Sequence, residues 1–139
     1  MKNVYSVLIV EDDMLLSLVE GRLVEKLGYR VAGKAANGDV AVKKAKDLNP
    51  DVILMDISLK GETDGIQAMH KIREFSNAPV IYLSGNSDKI SIERARKTNF
   101  IDYLIKPITE SELAGPLKKA TQWIETSTDN NSDYFSQAV

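Results

Sequence analysis

The chain is 139 residues long, 43% hydrophobic and 27% charged, with a formal net charge of −2. That is enough for one folded domain, too apolar for wholesale disorder, and too near neutral for the basic field on which nucleic-acid binding relies. With no cysteine and one histidine, His70, it excludes a disulfide scaffold, a thiolate nucleophile, a cysteine-ligated metal centre and any site needing two imidazoles.

The first apolar run, Val7-Leu8-Ile9-Val10, gives way at once to Glu11-Asp12-Asp13. It is too short for a signal peptide or a membrane span, so a cytoplasmic protein without membrane contact is expected. Leu16, Val19, Leu23 and Leu27 then form a stripe at helical spacing, and Gly28 stands where a helix-ending glycine belongs. The short run Val31-Ala32 precedes a second helical segment, Asp39–Leu48, whose apolar positions are Val40, Ala41, Ala45 and Leu48. Val52-Ile53-Leu54-Met55 follows the Pro50-Asp51 break, and Ile66, Met69 and Ile72 mark a third helix. Pro79–Leu83 predicts a fourth strand, Ser87–Thr98 a weaker helix carrying Ile90, Ile92 and Ala95, and Ile101–Ile105 a fifth strand. The last helix opens on Thr109-Glu110-Ser111-Glu112, a capping-box pattern. Segment 126–139 has two acids, no base and little apolar content, and it predicts a disordered tail behind a neutral body.

The runs at 7–10, 52–55 and 80–83 do not alternate with polar residues, as befits strands buried on both faces of a parallel sheet. Five strand–helix alternations predict an α/β fold, a doubly wound, five-stranded parallel sheet, and the strand order expected for it is the flavodoxin-like (βα)5 order 2-1-3-4-5. Ligands of such sheets sit beyond the carboxyl ends of the strands where the winding reverses, here between strands one and three. That crevice would set Glu11 and Asp12 opposite Asp56, with Ser84 and Lys106 ending the next two strands. Three carboxylates brought together repel unless a cation joins them, and hard oxygen ligands suit Mg2+. Each residue alone has a plainer reading. Asp13 caps the first helix, Asp56 is a turn residue, Ser84-Gly85 is a loop and Lys106 is a surface lysine. Their recurrence at the ends of successive strands is what singles them out.

Ile9-Val10-Glu11-Asp12-Asp13, Leu54-Met55-Asp56-Ile57-Ser58-Leu59, Asp64-Gly65, Leu83-Ser84-Gly85 and Tyr103-Leu104-Ile105-Lys106-Pro107 occur in this order. Together they resemble the receiver domain of bacterial two-component response regulators, over residues 4–125. A domain at 1–125 followed by the tail 126–139 is the organisation expected, as a complete, stand-alone, single-domain regulator. The resemblance implies that Asp56 accepts a phosphoryl group from a sensor histidine kinase or a histidine phosphotransfer protein. It further implies Mg2+ held by the carboxylates of Asp12 and Asp56, by Glu11 through water and by the backbone carbonyl of Ser58. Ser84 and Tyr103 would be the switch pair, and Lys106 would hold the phosphoryl oxygens, with its bond to Pro107 cis. Output would pass through the surface of the fourth helix, fifth strand and fifth helix to a downstream protein or a second copy. A relay onward to a histidine phosphotransfer protein is the alternative.

Two departures fall near that surface. Asn99-Phe100 stands where Gly-Ala is common, and Asn tolerates the left-handed turn while Phe100 adds bulk. Gly115-Pro116 predicts a kink in the fifth helix or a restart with Pro116 in its first turn. His70 reads as an exposed helix residue rather than a phosphohistidine, and Lys89, Arg94, Arg96 and Lys97 as a solvated face with no direct nucleic-acid role. The glycines of Leu59–Gly65 mark turns, not a nucleotide cradle. A Mg2+-dependent Asp-nucleophile phosphohydrolase would need an acid where Ser58 stands, and a flavin binder would have its phosphate repelled by Glu11-Asp12-Asp13. A phosphoacceptor that promotes its own phosphorylation, not a turnover enzyme, is therefore expected.

Overall fold

The structure, a computed structural model, describes residues 3–138, with side chains described through Ser127. Five strands alternate with five helices: β1 Ser6–Val10, α1 Met14–Lys26, β2 Arg30–Ala35, α2 Gly38–Leu48, β3 Val52–Asp56, α3 Gly65–Ile72, β4 Val80–Ser84, α4 Lys89–Arg96, β5 Asp102–Ile105 and α5 Glu110–Ala138. Every strand pair is parallel, as the alternation predicts, and the order is the expected flavodoxin-like β2-β1-β3-β4-β5.

The central strands are buried on both faces because their side chains alternate between two cores. Leu8, Val10, Ile53, Met55, Val80 and Tyr82 face one core, completed by Ala41 and Ala45 of α2, Ile66, Met69 and Ile72 of α3, and Ala95 of α4. Val7, Ile9, Val52, Leu54, Ile81 and Leu83 face the other, under Val24 of α1 and Leu113, Leu117 and Ala120 of α5. Full burial of each such aliphatic side chain stabilises the fold by about 1.5–3 kcal/mol, so this layer dominates.

The local signals behave as their chemistry requires. Asp13 caps α1 by accepting from Leu16 N at 3.0 Å. Gly28 takes the positive φ of 95° after the helix ends. Thr109 and Glu112 bond reciprocally at the start of α5, and Asn99 adopts φ 55°. Two expectations change. The buried face of α1 is Glu20, Gly21 and Val24, while Val19 is 42% exposed, so the helix is rotated from the stripe read off its leucines. Leu23 and Leu27 only flank the core. The fifth helix does not restart at Pro116 but runs through it; the missing N–H removes one bond, and buried Leu113 and Leu117 clamp the turn on either side. α5 is bounded by Glu110 and Ala138.

Candidate active site at the carboxyl ends of the strands

β1 and β3 are neighbours whose following helices, α1 and α3, leave on opposite faces, and that divergence opens the crevice. Oxygens of Glu11, Asp12 and Asp56 come within 4.8 Å of one another there. Asp56 is 1% exposed, Glu11 is also buried, and Asp12 is half-buried at the mouth. β5 brings Lys106 to the same place: its Nζ lies 3.1 Å from Asp56 Oδ2 and 3.2 Å from Glu11 Oε1. The Lys106–Pro107 bond is cis.

Asp56 is held asymmetrically. Its Oδ1 accepts from Ser58 N at 3.0 Å, whereas Oδ2, buried, has the charge of Lys106 beside it but no aligned hydrogen bond. Burial, then the charge of Glu11, push its carboxyl up to about 6, against the opposing pull of Lys106. Burial pulls Lys106 down, yet the charges of Asp56 and Glu11 outweigh it and hold the ammonium above its ordinary range. Asp12 Oδ2 accepts from Lys60 N at 3.1 Å, so the loop after β3 steadies the outer carboxylate. That loop returns tightly: a Cβ on Gly65 would lie 2.1 Å from the backbone oxygen of Asp56, so only glycine starts α3 here.

Ser84 is buried at the end of β4, and its Oγ accepts from Asn86 N at 3.3 Å. Tyr103 is partly buried on β5, and its hydroxyl donates to Asn86 O at 3.2 Å, tying it to the loop after Ser84. The predicted residues of four strand ends, Glu11, Asp12, Asp56, Ser58, Ser84 and Lys106, thus lie around one crevice, with Tyr103 one step behind. His70 is exposed on α3, away from it.

Sequence reasoning missed Glu20. It is 2% exposed on α1, its Oε1 lacks a partner, and burial followed by interaction with Glu11 pushes its carboxyl up to about 9. An acid between Val19 and Gly21 looks like surface charge until the helix rotation is known. Knowing that Gly21 and Val24 face inward would have placed Glu20 inside as well.

The donor set is all hard oxygen, with three acids against one ammonium and a buried carboxylate oxygen lacking an aligned partner; a small divalent cation fits it. A buried carboxylate flanked by a cation can act as a nucleophile toward a phosphoryl group, whose transfer needs chiefly positioning and charge neutralisation.

The Response regulator receiver domain family matches residues 7–118. Chemotaxis protein CheY of Thermotoga maritima is 35% identical over 117 residues, 84% of this chain and 97% of that protein. Transcriptional regulatory protein PdtaR of Mycobacterium tuberculosis is 33% identical over 82% of this chain, which spans 55% of that protein. The signal receiver domain of a modulated diguanylate cyclase from Desulfovibrio desulfuricans G20 superposes with a TM-score of 0.83 at 34% identity, covering 89% of this chain and 98% of that one. No helix among the described residues is long and apolar enough to cross a membrane.

Proposed function

Because the chain belongs to the response regulator receiver domain family, we propose that it is a cytoplasmic switch whose Asp56 takes a phosphoryl group from a phosphohistidine on a partner kinase or phosphotransfer protein. One observation carries this reading: Asp56 Oδ2 is buried, unaligned with any donor, and 3.1 Å from Lys106 Nζ. That oxygen attacks phosphorus, the P–N bond breaks, and its electrons leave with the imidazole of the donor. Lys106, released from Asp56, pairs with a phosphoryl oxygen, and an ammonium point charge suits that exchange of partners. The Ser84 hydroxyl supplies a hydrogen bond from the neighbouring strand. Mg2+, held by Asp12, Asp56, the Ser58 carbonyl and, through water, Glu11, would neutralise the remaining phosphoryl charge.

Met14 and Leu15, 88% and 69% exposed on the first turn of α1, support a protein donor, since they offer an apolar rim beside the acids. Ile90 of α4 and Ile105 of β5 are exposed on the α4–β5–α5 side and support output there by protein contact or self-dimerisation. The test is incubation with acetyl phosphate and Mg2+. The wild type should acquire one hydroxylamine-labile phosphate, and Asp56→Asn none. Equal labelling of the variant would sink the assignment.

A further inference from the structure

Among the described residues α4 and its flanking turns make polar ties to the rest of the molecule at three places, and of these the amino-terminal one is touched by Tyr103 of the switch pair. There the Tyr103 hydroxyl reaches Asn86 O, Asn86 Oδ1 accepts from Asp88 N at 3.2 Å, and Asp88 caps the helix through Ser91 N at 2.8 Å. The carboxyl end is fixed by a buried cluster. Thr98 Oγ1 donates to Ala95 O at 2.6 Å and meets the Tyr82 hydroxyl at 2.7 Å, while Arg73 Nε donates to Thr98 O at 2.9 Å. Tyr82 and Thr98 are essentially inaccessible, so this end cannot move without breaking buried hydrogen bonds.

Between these ends, among the described residues, lies one polar tie, Arg94 Nη2 to Asp64 Oδ2 at 2.8 Å. The other oxygen of Asp64 caps α3, accepting from Gln67 N at 2.8 Å, in a reciprocal box with the Gln67 side chain. The next residue, Gly65, donates to Ile57 O at 3.0 Å and abuts the backbone oxygen of Asp56. Asp64 is therefore tied to the backbone at Asp56, and Arg94 links that segment to α4 by contacts that do not involve Ser84 or Tyr103. Of α4 itself only Ala95 is buried, and Ile90 is 75% exposed. Little else opposes a swing of its amino-terminal half.

We propose that the Arg94–Asp64 pair is a latch that holds α4 in its phosphate-free position, with the Thr98–Tyr82–Arg73 cluster as the hinge. The inference rests on the receiver reading and adds a second line of coupling to it. A half-exposed pair contributes little to stability, which is what a latch that opens in ordinary operation requires.

Arg94→Gln leaves the cap of α3 untouched, and Asp64→Asn keeps a capping oxygen while removing the charge. Both variants should displace the amide resonances of residues 88–91, at the far end of α4 from Arg94, part-way toward their positions in phosphorylated wild type. Both should raise the initial rate of labelling by acetyl phosphate about 2- to 5-fold, the range that losing such a pair allows. The double variant should match Arg94→Gln alone, because one interaction is removed once. Unchanged amides and rates in both variants, or an effect of Arg94→Gln that Asp64→Asn does not share, would overturn the latch. Absence of labelling in the wild type would instead defeat the receiver reading. The latch would then stand or fall on whether the two variants move the same 88–91 amides in the same direction.

Discussion

Asp56 and Glu20 are both buried and both interact with Glu11, and each is raised above its ordinary value, first by burial and then by Glu11. The sign of the consequence follows directly. A carboxyl whose folded value lies above its unfolded value keeps a proton that the unfolded chain has released, so its contribution is complete at low pH and lost as pH rises. For Asp56 the window runs from 3.8 to about 6. For Glu20 it runs from 4.5 to about 9. The metal-free protein should therefore lose stability steadily between pH 5 and pH 9, in urea titrations with a chelator present. Glu20→Gln, which cannot ionise, should flatten the upper part of that profile and gain on the order of 1–3 kcal/mol at pH 8. Parallel profiles for the two proteins would mean that Glu20 is ionised and solvated, contrary to its burial. At this scale the sequence was unevenly legible. Asp56 and Lys106 stood out because each ends a strand, whereas Glu20 could not be recognised without the azimuth of α1. The apolar stripe misplaced that azimuth, since Val19 is exposed and Leu16, Leu23 and Leu27 are only half-buried while Gly21 faces inward.

Elements matter here chiefly by how closely they approach the crevice. α3 begins so near Asp56 that a methyl group on Gly65 would collide with backbone, not with a side chain that could turn away. Gly65→Ala should cost about 1–3 kcal/mol in urea unfolding and should slow labelling of Asp56, because the strain falls on the backbone of Asp56 itself. Wild-type stability and labelling in that variant would show that the loop has slack. At the other side of the crevice, β4 and β5 meet through Ser84, Asn86 and Tyr103. Phosphate on Asp56 should draw the Ser84 hydroxyl inward and alter the seat of Tyr103, whose ring is 6.3 Å from that of Phe100. Moving a two-state equilibrium from 1:99 to 99:1 requires about 5.5 kcal/mol, and hydrogen bonds to charged groups supply about 1.5–3 kcal/mol each. Ser84→Ala should accept phosphate yet lose most of the amide-shift response over residues 88–124; a full response would remove Ser84 from the switch. The existence of the strands and the caps at Asp13 and Thr109 were legible because each rests on local chemistry, and the order followed only from the fold class. The uninterrupted course of α5 was not, since the packing that tolerates Pro116 is supplied by the second core.

For the molecule as a whole, the same acids that make the crevice chemically useful make it electrostatically unfavourable when no cation is bound. Three carboxylates within 4.8 Å face one ammonium, so metal-free stability and metal affinity oppose each other. Composition hides this tension, because the balance of charges over the chain is close to even. Only the strand order converts scattered acids into a cluster, which is why the fold had to be read before the site. A loose site made of two carboxylates and a backbone carbonyl should bind Mg2+ with a dissociation constant on the order of 1 mM. At about 10 mM Mg2+ the folded state would gain about 1.4 kcal/mol by mass action, provided the unfolded chain binds none. Asp12 is the clearest probe, because it is half-buried and its partner, Lys60 N, lies in an exposed loop that water can serve. Asp12→Ala should therefore be more stable than the wild type in chelator, through relief of repulsion. It should gain nothing from Mg2+ and should fail to take up phosphate. Thermal unfolding of both proteins with and without Mg2+ at pH 7.5 gives the comparison. If Asp12→Ala were stabilised by Mg2+ as much as the wild type, the cation would be bound elsewhere and the crevice would lose its assignment as the metal site.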